Sequence, residues 1–390
     1  MHIKKAKRLS QLPPYLFAEI DRLKKEVQES GKKIISLGIG DPDLPTPEFI
    51  VNRAKTGVSN PANHQYPSYR GMASFRNAIS RWYKKRFNVT LNPEKEVVSL
   101  IGSKEGIAHI PLAFVEKGDI VLCPDPAYPV YKISTIFAGG KPYIMPLLET
   151  NNFLPDLTRI PKRILRKTKL MFLNYPNNPT SAVATEDFFK TAIEYAQKYN
   201  FAICHDAAYT ELYYNDKIQP SFLEVPGAKE VGIEFHSLSK TYNMTGWRIG
   251  WAAGNPEIIE GLGSIKENID SGIFQAVQVA GTEALLSNQD SVKEMRKIYQ
   301  ERRDVLLDGL DELRWKYFEP QATFYVWAHS PMGLPSKEAA MKILNSTGIV
   351  VTPGVGFGKY GENYIRFALT VDVPILREVI EKLKGVNFNA

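Results

Sequence analysis

A chain of 390 residues, 44% hydrophobic and 23% charged, has the make-up of an ordinary soluble globular protein, long enough for two domains and a large core. Its formal charge of +7 is scattered, the densest cluster being the short run from His2 to Arg8, so it reads as mild attraction for small acidic molecules and disfavours a nucleic-acid partner. The first eleven residues carry no apolar signal core, no apolar run approaches the ~18 residues of a membrane helix, and Cys123 and Cys204 lack metal-type or disulfide spacing, so the expectation is a cytoplasmic protein with two buried thiols, no metal and no membrane contact.

Residues 1–12 read as an arm stopped by Pro13-Pro14. Between 15 and 29 the apolar positions Leu16, Ile20, Leu23 and Val27 recur at helical spacing, with Gly31 as a C-cap. A short strand at 34–37 then runs into Gly38-Ile39-Gly40-Asp41-Pro42, a sharp turn in which glycine lets a backbone amide approach a partner closely. Past Pro47, helical stretches at 71–87, 104–114 and 186–199 alternate with strand-like runs at 97–101, 120–123, 143–147, 170–173, 201–204 and 232–235. Near-continuous apolar strands between helices predict an α/β fold with a mostly parallel sheet covered on both faces. From about residue 287 the texture changes to a long helix at 292–313, a strand at 323–328, a helix at 337–346, strands at 349–352 and 364–369, and a helix at 374–384. That reads as a smaller α+β domain, giving boundaries of 1–45 for the arm and part of the small domain, 46–286 for the large domain and 287–390 for the small one.

The informative residues stand just past the end of each strand. After 97–101 comes Gly102-Ser103-Lys104, opening a helix whose free amides and dipole suit an anion. After 170–173 comes Asn174-Tyr175-Pro176-Asn177-Asn178-Pro179-Thr180, and after 201–204 comes His205-Asp206-Ala207-Ala208-Tyr209. After 232–235 come Ser237, Ser239 and Lys240, with Arg248 eight residues on. In an open parallel sheet such loops meet at the carboxyl edge, where ligands bind. Each piece has a plainer reading: an N-cap for Ser103, a turn for Asn178-Pro179, a structural hydrogen bond for Asp206, a packed aromatic for Tyr128. Together they describe a site for a flat aromatic cofactor with a phosphate, a ring nitrogen and a reactive carbonyl.

Asn178-Pro179-Thr180, Asp206-Ala207-Ala208-Tyr209, Ser237-Leu238-Ser239-Lys240 with Arg248, and the late Tyr364-Ile365-Arg366 resemble the fold-type-I, pyridoxal-phosphate-dependent aminotransferases over nearly the whole chain. More narrowly, Pro14-Tyr15-Leu16-Phe17, Gly38-Ile39-Gly40-Asp41-Pro42-Asp43, Tyr242-Asn243-Met244-Thr245-Gly246-Trp247-Arg248 and Asn268-Ile269-Asp270-Ser271-Gly272 are similar to the LL-diaminopimelate aminotransferase branch. The resemblance implies a seven-stranded sheet and pyridoxal 5'-phosphate as cofactor. Lys240 would hold the cofactor covalently and move the substrate proton, its pKa lowered by desolvation and Arg248. Asp206 would pair with the ring nitrogen, Tyr209 with Asn178 would face the phenolic oxygen, and Tyr128 would lie against the ring. Ser103, Lys104, Ser237, Ser239 and Arg248 would hold the phosphate, joined by Tyr66 from the neighbouring subunit of a homodimer. Arg366 would fork onto the substrate α-carboxylate, while Gly40, Tyr15, Lys104, Asn268, Tyr128 and Asn178 would meet the rest of the substrate. Ser181 stands where the family has glycine, which would tighten the turn.

The implied reaction is amino transfer between LL-2,6-diaminoheptanedioate and 2-oxoglutarate, giving tetrahydrodipicolinate and glutamate in lysine synthesis. The alternative is another amino-acid aminotransferase, for aspartate, alanine or aromatic substrates, with lyases and synthases of the fold as a further option. A DNA-binding regulator is disfavoured, since roughly 45 residues before the large domain are too few for a separate module. A scaffold with a degraded site is disfavoured because every expected ligand type is present.

Overall fold

The computed structural model describes residues 3–12, 28–29 and 31–388, so the helix expected at 15–29 and Tyr15 lie almost wholly outside the described residues. At its centre are seven strands: β1 Val97–Leu100, β2 Ile120–Asp125, β3 Lys141–Pro146, β4 Thr168–Asn174, β5 Ala202–Asp206, β6 Gly232–Ser237 and β7 Gly250–Gly254. Their order across the sheet is β1-β7-β6-β5-β4-β2-β3. The pairs β3/β2, β2/β4, β4/β5 and β5/β6 are parallel, and only β7 runs against its neighbours β6 and β1. β7 had no strand signal because Gly-Trp-Ala-Ala-Gly lacks the β-branched residues that mark one.

Strand side chains alternate between two cores. Val98, Leu100, Val121, Cys123, Phe172, Cys204 and Phe235 face the helices Ser103–Phe114, Val130–Phe137 and Pro256–Ile269. Val97, Leu122, Met171, Leu173 and Ile203 face Ala73–Phe87, Glu186–Tyr199 and Gln275–Leu286. Both cysteines are free and buried. None of the described helices is long and apolar enough to cross a membrane.

The second, four-stranded antiparallel sheet has the order Thr352–Pro353, Tyr364–Ala368, Tyr325–His329, Tyr317–Phe318. The run at 349–352, read as one strand, divides: Ile349–Val350 pairs in parallel with Ile35–Ser36, and Thr352–Pro353 pairs with Tyr364–Ala368. The backbone bonds Leu37 N to Val350 O at 2.8 Å and Ala368 N to Leu37 O at 2.8 Å continue that attachment. The N-terminal segment is thereby packed onto the C-terminal part, and the turn at 38–42 is aimed at the edge of the large sheet. Asp43 fixes the far side of the turn through a two-pronged pair with Arg302 on the helix Asp290–Glu312, both contacts at 2.7 Å.

Candidate active site

The parallel pairing sets Asn174 opposite Asp206 and Asp206 opposite Phe235, so β4, β5 and β6 end side by side. Because β1 is antiparallel to β7 and β7 to β6, β1 points the same way as β6 and its end opens at the same edge. The turn at Gly40 and the strands carrying Tyr325 and Arg366 close over that edge, enclosing a cavity of about 470 Å³, the size of a small-ligand site. Of the residues singled out in the sequence, Gly40, Ser103, Lys104, Tyr128, Asn178, Asp206, Tyr209, Ser237, Ser239, Lys240, Arg248 and Arg366 line it. Tyr66, 88% exposed, and Asn268, on the surface of the helix Pro256–Ile269, do not.

One end of the cavity is a cradle. Gly102, at φ +75°, caps the helix Ser103–Phe114, and a Cβ there would fall 2.2 Å from the Arg248 guanidinium, so only glycine lets the cation close on the helix N-terminus. The Ser237 hydroxyl accepts from Ser239 N at 3.1 Å, and Arg248 donates to Thr245 O at 2.7 Å. Free helix amides, hydroxyls and a guanidinium are the donor set of a phosphate site.

Opposite the cradle, Asp206 is buried with no Lys or Arg among the described residues paired to it, and burial raises its carboxyl above the usual range. Tyr131 Oη donates to Asp206 Oδ2 at 2.8 Å and opposes that rise, and Ala208 N reaches Oδ1 at 3.3 Å. A buried carboxylate held this way calls for an N–H cation as its further partner, which the protonated ring nitrogen of pyridoxal phosphate supplies. Cradle, carboxylate and lysine together fit that cofactor.

Lys240 lies one turn past β6 and donates to Gly40 O at 2.8 Å. Its pKa is lowered to about 8, chiefly by desolvation. Asp41 opposes that shift, and Arg366 adds to it ahead of Arg248, the neighbour expected to matter. Since the folded pKa is below that of an unfolded lysine, the cost of burying the ammonium falls on the folded protein at low pH and is relieved as pH rises above about 8. Capture of pyridoxal phosphate by the cofactor-free protein should therefore quicken as pH rises through about 8 and then level off, as followed by stopped-flow absorbance. A rate flat across that range contradicts an amine gated by its own proton.

Arg366 is 2% exposed, yet it forms no ion pair with any carboxylate among the described residues. Instead it donates to Asn178 Oδ1 and Gly38 O, both at 2.7 Å, between the rings of Tyr325 at 4.1 Å and Phe357 at 4.6 Å. Its Nε has no hydrogen-bond partner among the described residues. A buried cation with no carboxylate paired to it among the described residues marks where an anionic ligand group belongs.

The residues missed from the sequence are Tyr131 and Tyr325. Tyr131 stands three positions after Tyr128 at the start of the helix Val130–Phe137, a helical spacing that places both rings on one side. No local signal singled out Tyr325, which reaches the site only through the second sheet. A separate cluster, Glu105, His109 and Asp270, holds its ligand atoms within 4.8 Å of one another, but the Lys266 ammonium already lies 2.8 Å from Asp270 and 3.5 Å from Glu105 and occupies both carboxylates.

The sequence matches the family model for aminotransferase class I and II over residues 32–383. It is 58% identical to the LL-diaminopimelate aminotransferase of Maridesulfovibrio salexigens, covering 97% of this chain and 98% of that one. It is 56% identical to the protein of the same name from Syntrophobacter fumaroxidans, covering 98% and 99%. Among solved structures, substrate-bound BacF from Bacillus subtilis superposes with a TM-score of 0.95 at 38% identity, covering 100% of this chain and 99% of that one. A Thermus thermophilus aspartate aminotransferase mutant does so with a TM-score of 0.91 at 27% identity, covering 98% and 99%.

Proposed function

From the premise that the chain belongs to the class I and II aminotransferases and works on pyridoxal phosphate, we propose that its substrates are LL-2,6-diaminoheptanedioate and 2-oxoglutarate, exchanged with tetrahydrodipicolinate and L-glutamate in lysine synthesis. The observation that carries the reading is the buried Arg366, paired with no carboxylate among the described residues and facing the same cavity as Lys240 and Asp206. The names of the relatives favour diaminoheptanedioate as the amino donor over aspartate, alanine or an aromatic amino acid.

When bound, pyridoxal phosphate supplies an electron sink that stabilises negative charge at the substrate Cα. The protein's own groups do the rest. The two NH₂ groups of Arg366 take the α-carboxylate in place of some present contacts and orient the Cα–H bond towards Lys240. The Lys240 amine, close to its pKa, removes and returns the Cα proton. Asp206, with one oxygen held by Tyr131, would pair with the ring nitrogen and keep it protonated. Tyr209 and Asn178 would face the phenolic oxygen, Tyr128 would cover the ring, and Ser103, Lys104, Ser237, Ser239 and Arg248 would anchor the phosphate.

Tyr66 belongs to this site as a partner's residue: its exposure on a single chain suits a hydroxyl presented to a second subunit. We assign Tyr15, Gly40, Lys104 and Asn268 to the far end of the substrate. The division at residues 45 and 286 and a cytoplasmic location complete the proposal. A panel of amino donors with 2-oxoglutarate, ranked by kcat/KM, tests the substrate. LL-diaminoheptanedioate should lead, and its failure against aspartate, alanine or aromatic donors removes the lysine-pathway assignment while leaving amino transfer in place.

A further inference from the structure

Tyr325 opens the strand Tyr325–His329 of the second sheet, but its side chain ends among groups of the first. Its hydroxyl lies 3.0 Å from that of Tyr209, and its ring faces the Arg366 guanidinium at 4.1 Å. The same hydroxyl occupies the space beside Gly40, where a Cβ would fall 1.9 Å from it. One phenol therefore touches the tyrosine assigned to the cofactor oxygen, the arginine assigned to the substrate carboxylate, and the backbone that accepts from Lys240.

We propose that Tyr325 is a positioning residue for amino transfer, donating its proton to Tyr209 Oη and holding Arg366 in place with its ring face. The inference rests on the reading of Tyr209 given above. The direction of the bond comes from counting protons: each phenol has one, and if Tyr209 gives its own to the phenolic oxygen of the cofactor, the bond between the two tyrosines is donated by Tyr325. A hydroxyl that accepts a bond becomes a stronger donor, so Tyr325 strengthens the contact that Tyr209 makes.

Ser181 supplies the strut. It is fully buried in a left-handed conformation, φ +62°, where glycine is at ease and a serine is strained. Its hydroxyl donates to Tyr325 O at 2.6 Å and meets Thr323 Oγ1 at 2.8 Å, while Thr323 N donates to Leu212 O at 2.7 Å. The start of the Tyr325 strand is thus tied to the two loops that carry Asn178 and Tyr209. Serine in place of glycine gives the turn a hydroxyl that reaches across to the second sheet.

The test is the pH titration of visible absorbance in the cofactor-loaded protein, with thermal unfolding alongside. A donor to the phenolic oxygen favours the deprotonated chromophore, so weakening it raises the titration midpoint. Tyr325→Phe keeps the ring over Arg366 and removes only the hydroxyl. It should raise the midpoint by about half a pH unit or more and leave Tm nearly unchanged. Ser181→Gly, which relaxes the backbone, should raise the midpoint by a smaller amount. Tyr209→Phe is the reference. A shifted midpoint in Tyr209→Phe with wild-type midpoints in the other two overturns the inference and leaves the site reading standing. A wild-type midpoint in Tyr209→Phe overturns the Tyr209 assignment and the inference with it.

Discussion

Lys240→Arg is expected to abolish amino transfer, with kcat falling on the order of 10⁴-fold or more, the scale seen when a covalent catalytic group is removed. Arginine keeps the cation but cannot lose its proton, so it neither binds the cofactor covalently nor accepts the substrate proton. Two lysines line the cavity, and the structure separates them. Lys240 is the one whose pKa is brought down to about 8, where a useful fraction of neutral amine exists near neutrality. Lys104 is exposed, with its ammonium 5.6 Å from the centre of the Tyr128 ring. Borohydride treatment and then peptide mapping decide between them. Cofactor fixed on the peptide containing Lys240 is the expected result, and label on Lys104 overturns the assignment.

The second large effect is expected at Arg366. Arg366→Lys should raise KM for the amino donor and for the oxo acceptor together, with kcat/KM falling by about 30-fold, equivalent to about 2 kcal/mol, the low end for breaking a buried charged contact. Both substrates bear the same carboxylate beside the reacting carbon and take turns in one site, so a shared fork must affect both. Lysine has no fork. It would also forfeit the simultaneous bonds to Asn178 Oδ1 and Gly38 O that orient the guanidinium between Tyr325 and Phe357. Steady-state kinetics with each substrate varied in turn makes the measurement. Unchanged KM values for both would remove Arg366 from the carboxylate, and a change in one alone would mean that the two substrates are held differently.

Much of this arrangement was legible in the order of residues. An apolar strand that ends in polar residues announces both itself and its loop, so β1, β4, β5 and β6 could be placed within a few residues, and with them Ser103, Asn178, Asp206, Ser237 and Lys240. The glycine-rich turn at 38–42 and the Arg366 strand were readable for the same reason. β7 was not, because its Gly-Trp-Ala-Ala-Gly composition carries no strand signal, and its place between β6 and β1 is set by pairing. Nor was the division of 349–352 between two sheets, which depends on what each half finds beside it.

Sequence by itself determined the chemistry available: a lysine, a carboxylate, a helix start flanked by hydroxyls and an arginine, each attached to a strand end that fixes where it goes. Tertiary structure decided how those groups are tuned. The phenol of Tyr131 on Asp206 joins residues 75 apart, the Tyr209–Tyr325 contact joins residues 116 apart, and the Ser181–Tyr325 bond spans 144. Such contacts leave no periodicity or spacing in the chain, because the first forms only when the strands of the large sheet are assembled and the other two only when the second sheet meets it over one cavity. The same meeting buries Arg366 with no carboxylate among the described residues paired to it and desolvates Lys240, so the pKa of the lysine and the demand for a carboxylate are properties of the assembled fold.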